Sequence, residues 1–369
     1  MLDNTTITVT RKTMPWGDKA VVATYSKESD PRLSGYSAMV IKDSRITTDF
    51  DANEQDRLTT MIVRFPRCIL SEMNTHRVFS RNSASSRARS LKTTIKQVMD
   101  DPYIPLFTEN AKGMGGSYIT DEDQLAMAKE EWLIARDSAV DMTTRMLLGA
   151  GVTCSDDVRE RIDVYYDKYY GKSREEWDVV IPNVHKQTAN RLLEPFMWHE
   201  MLITSSYWEN FFTLRMDEAA QPEMQAIATL MWCAYHESQP VKRGIHAPFM
   251  PAEETDAPIF DWDTIKHLFG LSAAECARIS YHDRSTMDNK SQKTGHDLVM
   301  RLYTQGHMSP FEHQAMSLTK ARDFVHSYGS HKLSLSNLHG NFSGYWVQYR
   351  KVLEWEKRNK RSMFSDMEV

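Results

Sequence analysis

The sequence has few cysteines, no long apolar run and no excess of basic residues, and each shortage excludes a class of protein. Its 369 residues include four cysteines, none in a Cys-x-x-Cys pair, so a structural zinc site and a disulfide framework are not expected. No stretch is long enough to span a membrane, and the first residues lack the basic and apolar regions of a signal peptide. We therefore expect a cytoplasmic protein with no bound metal and no membrane partner.

The net charge of −5 argues against a general nucleic-acid binder. One segment is nevertheless basic, because no acidic residue lies between Thr75 and Ser90. Its arginines are Arg77, Arg81, Arg87 and Arg89. Forked guanidinium donors suit phosphate, and the serines beside them can add short hydrogen bonds. On charge alone, a nucleotide-phosphate site and a solvated or nucleic-acid-binding arginine-rich loop have equal weight.

Hydrophobic periodicity predicts an α+β fold with a mixed sheet and long helices. Short β-type runs precede a strand at 57–65, and a short helix at 68–75 leads into His76. A loop is expected at 101–119, and a helix at 121–148 begins with three acidic residues. We expect one face of that helix to be core; it carries Leu125, Ala128, Trp132, Ala135, Ala139 and Met142.

The chain divides into two parts around a proline-rich stretch. Residues 1–245 hold the basic segment and a helical pattern that runs from 185 to 236, and residues 246–262 are interpreted as a linker because they contain three prolines. Residues 263–369 form a C-terminal part of mixed pattern, and a polar stretch at 152–182 is interpreted as an insertion. We expect the two parts to form one catalytic unit.

The order of residue types in the basic segment is more specific than its charge. The pattern His-Arg-x-x-Ser-x-Asn-x-x-Ser-x-Arg resembles the signature of flavin-dependent thymidylate synthases. Its positions are filled by His76, Arg77, Ser80, Asn82, Ser85 and Arg87. Three residues depart from the usual signature: Thr75 stands in place of an arginine, Ser83 in place of a glutamate and Ala88 in place of a tyrosine.

Four further blocks resemble the same family. They are residues 190–195 (Asn-Arg-Leu-Leu-Glu-Pro, for the family's Ala-Arg-x-x-Leu-Pro), 210–224 (with the Leu-Arg and Ala-Gln-x-Glu pairs), 277–281 (Ala-Arg-Ile-Ser-Tyr) and 306–313 (Gly-His-Met-Ser-Pro-Phe-Glu-His). In usual members the last two blocks precede the basic signature, whereas here they follow it. The resemblance therefore implies a circularly permuted chain, which is tolerated where the original termini lie close together. It also implies a homo-oligomer whose sites draw residues from several subunits.

The resemblance assigns roles to individual residues. The catalytic residues would be Arg215 and His76. The residues that bind dUMP would be Ser85, Arg87, Arg191 and Arg215, with guanidinium groups on the phosphate and Arg215 beside the pyrimidine ring. The residues that contact FAD would be His76, Arg77, Asn210, Ser280, Ser309 and Glu312.

Structural interpretations stand beside these roles. Arg191 also fits a helix-surface arginine, and Arg215 also fits a buried ion pair with Glu218 or Glu223. His307 is open between a loop or helix-cap device and a ligand contact, whereas His313 is expected to pack.

The activity implied is the reductive methylation of dUMP to dTMP, with FAD as cofactor and with methylenetetrahydrofolate and NADPH as co-substrates. No enzyme nucleophile is expected, since protein groups would position and polarise the reactants. A first alternative acts on dCMP, or adds a hydroxymethyl group, for DNA modification. A second is a catalytically silent nucleotide-binding homologue. A third, a nucleic-acid-binding module, is least favoured because the chain is acidic.

Overall fold

The computed structural model describes the chain in nine ranges: 6–28, 30–46, 56–86, 89–112, 116–147, 184–256, 261–280, 291–327 and 335–358. The predicted insertion at 152–182 and the signature residue Arg87 lie outside the described residues, as does the side chain of Ser280.

Helices and strands alternate irregularly along these ranges. Strands β1 to β10 span Ile7–Thr13, Lys19–Tyr25, Ser37–Arg45, Arg57–Pro66, Ser80–Ser83, Trp198–Ser205, Val241–Lys242, Ile245–His246, Ala315–Ser317 and Trp346–Gln348. Helices α1 to α11 span Leu70–Met73, Leu91–Asp100, Glu122–Leu147, Lys186–Ala189, Glu209–Arg215, Pro222–Glu237, Ala252–Asp256, Trp262–Ala277, Ser291–Thr304, Leu318–Ser327 and Tyr349–Arg358. Short 3-10 helices occur at Pro31–Leu33, Arg67–Ile69, Asn190–Phe196, Arg278–Ser280, Ser309–Glu312 and Leu335–Asn337. The fold is α+β, which confirms the prediction.

Most strands belong to one seven-stranded sheet in the order β1-β2-β3-β4-β6-β5, with β7 paired to β3. Neighbours along the main path are antiparallel, whereas β7 runs parallel to β3. The strands β8, β9 and β10 form a separate antiparallel sheet. The larger sheet is therefore mixed, through one short parallel pair in the described ranges.

The central strands β4 and β6 are buried on both faces, which explains their nearly continuous run of apolar and threonine residues. On one face, Met61 packs with Ile227 of helix α6. On the other face, Ile62 shares a core with Phe269 and Val347 of the C-terminal part. The C-terminal part thus covers one face of the large sheet, and this contact brings the late sequence blocks next to the early ones.

Residues 246–262, which the sequence predicts as a linker, contain buried side chains. Ala247, Phe249 and Met250 are at most 7% exposed and belong to the core on the C-terminal face. The buried Lys42 donates a hydrogen bond from Nζ to the carbonyl oxygen of Met250 at 3.3 Å. The described part of this stretch is therefore packed into the core and is not an exposed linker. The division of the chain into two parts stays a prediction.

The helical pattern predicted from 185 to 236 contains a strand. Residues Trp198–Ser205 form β6, which pairs with β4 on one side and β5 on the other. An apolar run that is buried on both faces carries no clear period, and strand pairing then decides its conformation. The helical prediction was wrong for these eight residues and is confirmed for α6.

The long helix predicted at 121–148 is confirmed as α3, but its predicted core face is only partly right. Trp132 packs against the neighbouring aromatic side chains, whereas Met142 is 44% exposed. The buried residues of its second half include Thr143 and Thr144. Their hydroxyls donate to the carbonyl oxygens of Ala189 and Val140, so these threonines are buried without an unpaired hydroxyl.

Candidate active site

Residues Ser80–Ser83 of the basic signature form strand β5 at the edge of the large sheet. Its side chains alternate, so that Ser80 and Asn82 are buried and Arg81 and Ser83 point away from the core. The Asn82 amide donates to the carbonyl oxygen of Cys276 at 3.1 Å. This bond ties the signature to the end of helix α8, directly before the block at 277–281.

The Ser80 hydroxyl is held by the C-terminal part. It donates to Asn341 Oδ1 at 3.2 Å and accepts from Gln348 Nε2 at 3.1 Å. Gln348 also donates to the carbonyl oxygen of Glu312 at 3.1 Å, which joins the signature to the block at 306–313. A Cβ atom at Gly340, where φ is +65°, would lie 2.1 Å from Gln348 Oε1, so this position requires glycine.

A cavity of about 590 Å³ opens where these segments meet. We call it the motif cavity; its lining residues are Asn74, Arg81, Asn82, Ser83, Ser85, Ala277, Ile279, Leu302, His307, Ser309 and Pro310. Ser85 and Ser309, which the sequence assigns to dUMP and FAD respectively, therefore face the same space. His307 also lines this cavity. The signature and the two C-terminal blocks thus meet within one chain.

Glu312 lies next to this cavity and forms an ion pair with Arg350. Burial raises the pKa of the Glu312 carboxyl, while Arg350 opposes that shift. Arg350 also pairs with Glu354 at 2.7 Å. The Glu312 carboxylate therefore belongs to a salt-bridge network with Arg350 and Glu354 of helix α11.

The two residues predicted to be catalytic are in direct contact. Arg215, the last residue of helix α5, donates from Nε to His76 Nε2 at 2.8 Å. Its other nitrogens donate to Glu72 and, at 3.0 Å, to Thr75 Oγ1. The ion pair that the structural interpretation placed with Glu218 or Glu223 is formed with Glu72 instead.

His76 is the neutral partner in this contact. Burial, together with the positive charge of Arg215, lowers the pKa of His76 to about 4. Arg215 can only donate, so Nε2 accepts and the ring proton lies on Nδ1. The imidazole stacks on Phe79 and packs edge-on against Phe211. His76 therefore fixes the direction of the Arg215 guanidinium and carries no charge at neutral pH.

A second cavity, of about 530 Å³, shares the lining residue Asn74 with the motif cavity. We call it the Arg191 cavity; it is lined by Arg67, Cys68, Leu70, Ser71, Asn74, Arg191, Glu194 and Pro195. Arg191 is exposed, whereas Arg67 is held by Glu194 at 3.0 Å. Two guanidinium groups face one carboxylate, so the cavity has a net positive charge suited to an anion.

The remaining predicted residues lie apart from these contacts or outside the described residues. Arg77 and Asn210 are exposed, Asn210 on the same helix as Arg215. Ser280 is the last residue of the 3-10 helix Arg278–Ser280. It directly follows Ile279, which lines the motif cavity. Arg87 is not among the described residues.

His313 packs in the core. It is fully buried, and its Nδ1 lies 2.8 Å from Thr204 Oγ1. Thr204 is hydrogen-bonded to Thr60, and Thr60 to His246 Nε2, each at 2.7 Å. This chain of hydrogen bonds crosses the two central strands and joins the end of the 306–313 block to the sheet.

Cys68 is an exposed residue that lines the Arg191 cavity, and its raised thiol pKa predicts low nucleophilicity. Desolvation and the negative charge of Glu223 raise the pKa of its thiol from 9.0 to about 11. Since the thiolate is the reactive form, we expect iodoacetamide at pH 8 to modify Cys68 about 100-fold more slowly than free cysteine. Peptide mass spectrometry measures the rate, with urea-unfolded protein as the control. Modification at the rate of free cysteine would contradict the assignment.

The sequence model of the thymidylate synthase complementing protein family matches residues 52–241, which are just over half of the chain. This range contains the signature, Arg191 and Arg215. The chain belongs to this family. The blocks at 277–281 and 306–313 lie outside the matched range.

Solved structures show similarities of low sequence identity. The UMP/dUMP methylase PolB from Streptomyces cacaoi, bound with 5-Br UMP, is 13% identical over 55% of this chain and 89% of that chain, with a TM-score of 0.38. Thymidylate synthase X from Helicobacter pylori, with FAD and dUMP, is 16% identical over 49% of this chain and 68% of that chain, with a TM-score of 0.25. Among curated proteins, none matches the sequence significantly.

Some residues around the candidate site of this chain cannot be predicted from the signature alone. Glu72, which pairs with Arg215, is four residues before His76. Side chains four residues apart on a helix are neighbours, so the sequence did indicate that Glu72 could lie close to His76. Arg67 was not predicted, because its partners Glu194 and His199 are distant in sequence. Asn74 was not predicted either; it lines both cavities. Across the described ranges, no group of three or more His, Cys, Asp or Glu side chains is arranged to hold a metal ion. No helix there combines the length and apolarity needed to cross a membrane.

Proposed function

We propose that this protein is a flavin-dependent thymidylate synthase, which converts dUMP to dTMP with FAD, NADPH and methylenetetrahydrofolate. Its family membership supports a role of this kind. The observation that carries the proposal is the motif cavity, in which Ser85 of the signature faces Ile279 and Ser309 of the C-terminal blocks. These blocks are more than 190 positions apart in the sequence, yet they line one open cavity.

The donor set of the motif cavity fits a flavin nucleotide. Arg81, Ser309 and His307 supply a cation and polar groups for a diphosphate, while Ile279 and Leu302 supply apolar surface for a ring system. Bound FAD would supply the redox chemistry and carry the one-carbon unit. The protein's own side chains would bind the ring and exclude water around it.

The phosphate of dUMP is assigned to the Arg191 cavity. Arg191 is an exposed guanidinium at an open cavity that already holds Arg67, and a forked donor suits a phosphate dianion. Asn74 connects this cavity with the motif cavity, so a nucleotide could extend from one to the other. Arg215, held by neutral His76 and paired with Glu72, would present guanidinium N–H donors in a fixed direction to the pyrimidine carbonyl groups as they gain negative charge.

The wider assembly belongs to the same proposal. We infer a cytoplasmic homo-oligomer with shared sites, built on a circularly permuted chain. Several exposed apolar side chains near the signature support an interface there; they are Val78, Tyr207, Leu214 and Met216.

Binding and turnover are tested separately. Titration of FAD with the purified protein should give saturable quenching of flavin fluorescence, and Arg81→Ala should weaken FAD binding about 10-fold, because a charged hydrogen bond is lost. Arg11→Ala is the matched control, since Arg11 is an exposed arginine of β1 paired with Glu237. NADPH oxidation is then followed with methylenetetrahydrofolate and dUMP, dCMP or UMP. Oxidation that depends on dUMP supports the proposal; FAD binding without nucleotide-dependent oxidation would reject it.

A further inference from the structure

Ser86 is held at two points by the segment that carries Arg191. It is 3% exposed and directly follows Ser85 of the motif cavity. Its carbonyl oxygen accepts from Asn190 Nδ2 at 3.0 Å, and its hydroxyl donates to Glu194 Oε1 at 2.7 Å. One bond therefore fixes the backbone of Ser86 and the other fixes its side chain.

Both partners are themselves fixed. Asn190 is fully buried at the start of the 3-10 helix Asn190–Phe196. Glu194 accepts from Arg67 at 3.0 Å, and Arg67 contacts His199 Nδ1 on the central strand β6 at 3.0 Å. The contacts run from the central sheet through Arg67 and Glu194 to Ser86, so the position of Ser86 is set by the core.

Asn190 and Glu194 are the two positions at which this segment departs from the family pattern Ala-Arg-x-x-Leu-Pro. Neither alanine nor leucine has a side-chain group that could make these hydrogen bonds. Two independent departures thus converge on one residue, located between the signature residues Ser85 and Arg87.

We propose that Asn190 and Glu194 are positioning residues that hold the nucleotide-binding signature against the Arg191 segment. The inference rests on the proposed binding of dUMP. Fixing Ser86 holds Ser85 at the motif cavity at a constant distance from Arg191, so the donors for one nucleotide stay aligned before it binds. The expected effect is on affinity for dUMP, with little effect on turnover once dUMP is bound.

The test uses full-length, FAD-loaded protein and dUMP titration by calorimetry. Ser86→Ala and Glu194→Leu should each weaken dUMP binding about fivefold to tenfold, as expected for one lost hydrogen bond to a charged group. Both variants remove the bond between Ser86 and Glu194, and Glu194→Leu also releases Arg67, so the double variant should bind dUMP no more weakly than Glu194→Leu alone. Glu194→Gln keeps an acceptor oxygen and should stay within about twofold of wild type. Leu192→Ala, an exposed position of the same segment, is the matched control.

The outcomes separate the two proposals. If wild-type protein does not bind dUMP, the proposed function fails. If wild type binds dUMP and Ser86→Ala and Glu194→Leu bind it equally well, the positioning role fails. It also fails if the effects of Ser86→Ala and Glu194→Leu add in the double variant, or if affinity falls only in step with the melting temperature. A rise in KM for dUMP with unchanged kcat would agree with positioning.

Discussion

Replacing Arg215 by alanine should lower the turnover of dUMP about 100- to 1000-fold, the size of effect found when a preorganised donor to a developing negative charge is removed. Arg215 is held through three nitrogens by Glu72, Thr75 and His76. This arrangement leaves its direction fixed before substrate binds. Turnover is measured as dUMP-dependent NADPH oxidation in FAD-loaded protein.

The controls separate charge from geometry. Arg11→Ala removes an exposed arginine whose ion pair is worth little, and turnover should not change. Arg215→Lys keeps the charge but lacks the fork, so it should recover only part of the loss. Because the Arg215 charge lowers the pKa of His76, Arg215→Ala should also raise that pKa, which proton NMR can measure. Turnover of Arg215→Ala within about threefold of wild type would remove Arg215 from the catalytic residues.

The second large effect is a loss of stability in mild acid. Burial, with the nearby charge of Arg67, lowers the pKa of His199 to about 3, and burial lowers that of His313 to about 3. Because Arg67 can only donate, Nδ1 of His199 accepts from it and the ring proton lies on Nε2, so an added proton on Nδ1 would break the Arg67 bond. Nε2 of His313 is buried without a hydrogen-bond partner among the described residues, so a proton added there would have no acceptor. His246, also fully buried, shifts in the same direction.

The sign follows from the unfolded state, in which histidine titrates near pH 6.5. Above this pH both states bind no proton, and the stability from these histidines is fully present. As pH falls from 6.5 towards 3, the unfolded state binds protons first, and each histidine costs about 1.4 kcal/mol per pH unit. For His199 and His313 together we expect a loss of about 4 kcal/mol between pH 7 and 5, a large share of a typical folding free energy.

Urea unfolding followed by circular dichroism measures this loss at pH 7, 6 and 5. His199→Gln keeps an acceptor for Arg67, and should reduce the difference between pH 7 and pH 5 by about 2 kcal/mol. His267→Gln, at an exposed position of helix α8, should leave the difference as in wild type. An unchanged pH dependence in His199→Gln would contradict the assignment of the acid effect to buried histidine.

The elements of the fold that the sequence predicts well are those with local signals. Helix α3 has acidic residues in its first turn, and β4 is a run of mainly apolar and threonine residues that ends at Pro66, so both were predicted. Strand β6 was not found, because its apolar residues are buried on both faces and only pairing with β4 and β5 makes it a strand.

The site shows the same division. The types and order of Ser85, Ser309 and Arg191 are readable in the sequence, and two of these residues share the motif cavity. The contact between His76 and Arg215 joins residues 139 positions apart. The periodicity of a sequence predicts only local neighbours, so it could not predict this contact. The ties from Asn190 and Glu194 to Ser86 are likewise tertiary, and they arise at positions where the family pattern is not followed.

The most direct test of the proposed function is the identity of the nucleotide product. Purified protein is incubated with FAD, NADPH, methylenetetrahydrofolate and dUMP, and the nucleotide is analysed by mass spectrometry. We expect a methyl group to be gained on dUMP, giving dTMP, and this product to be lost in Arg191→Ala. Unmodified dUMP from FAD-loaded protein, a hydroxymethyl product, or reaction with dCMP only would contradict a thymidylate synthase.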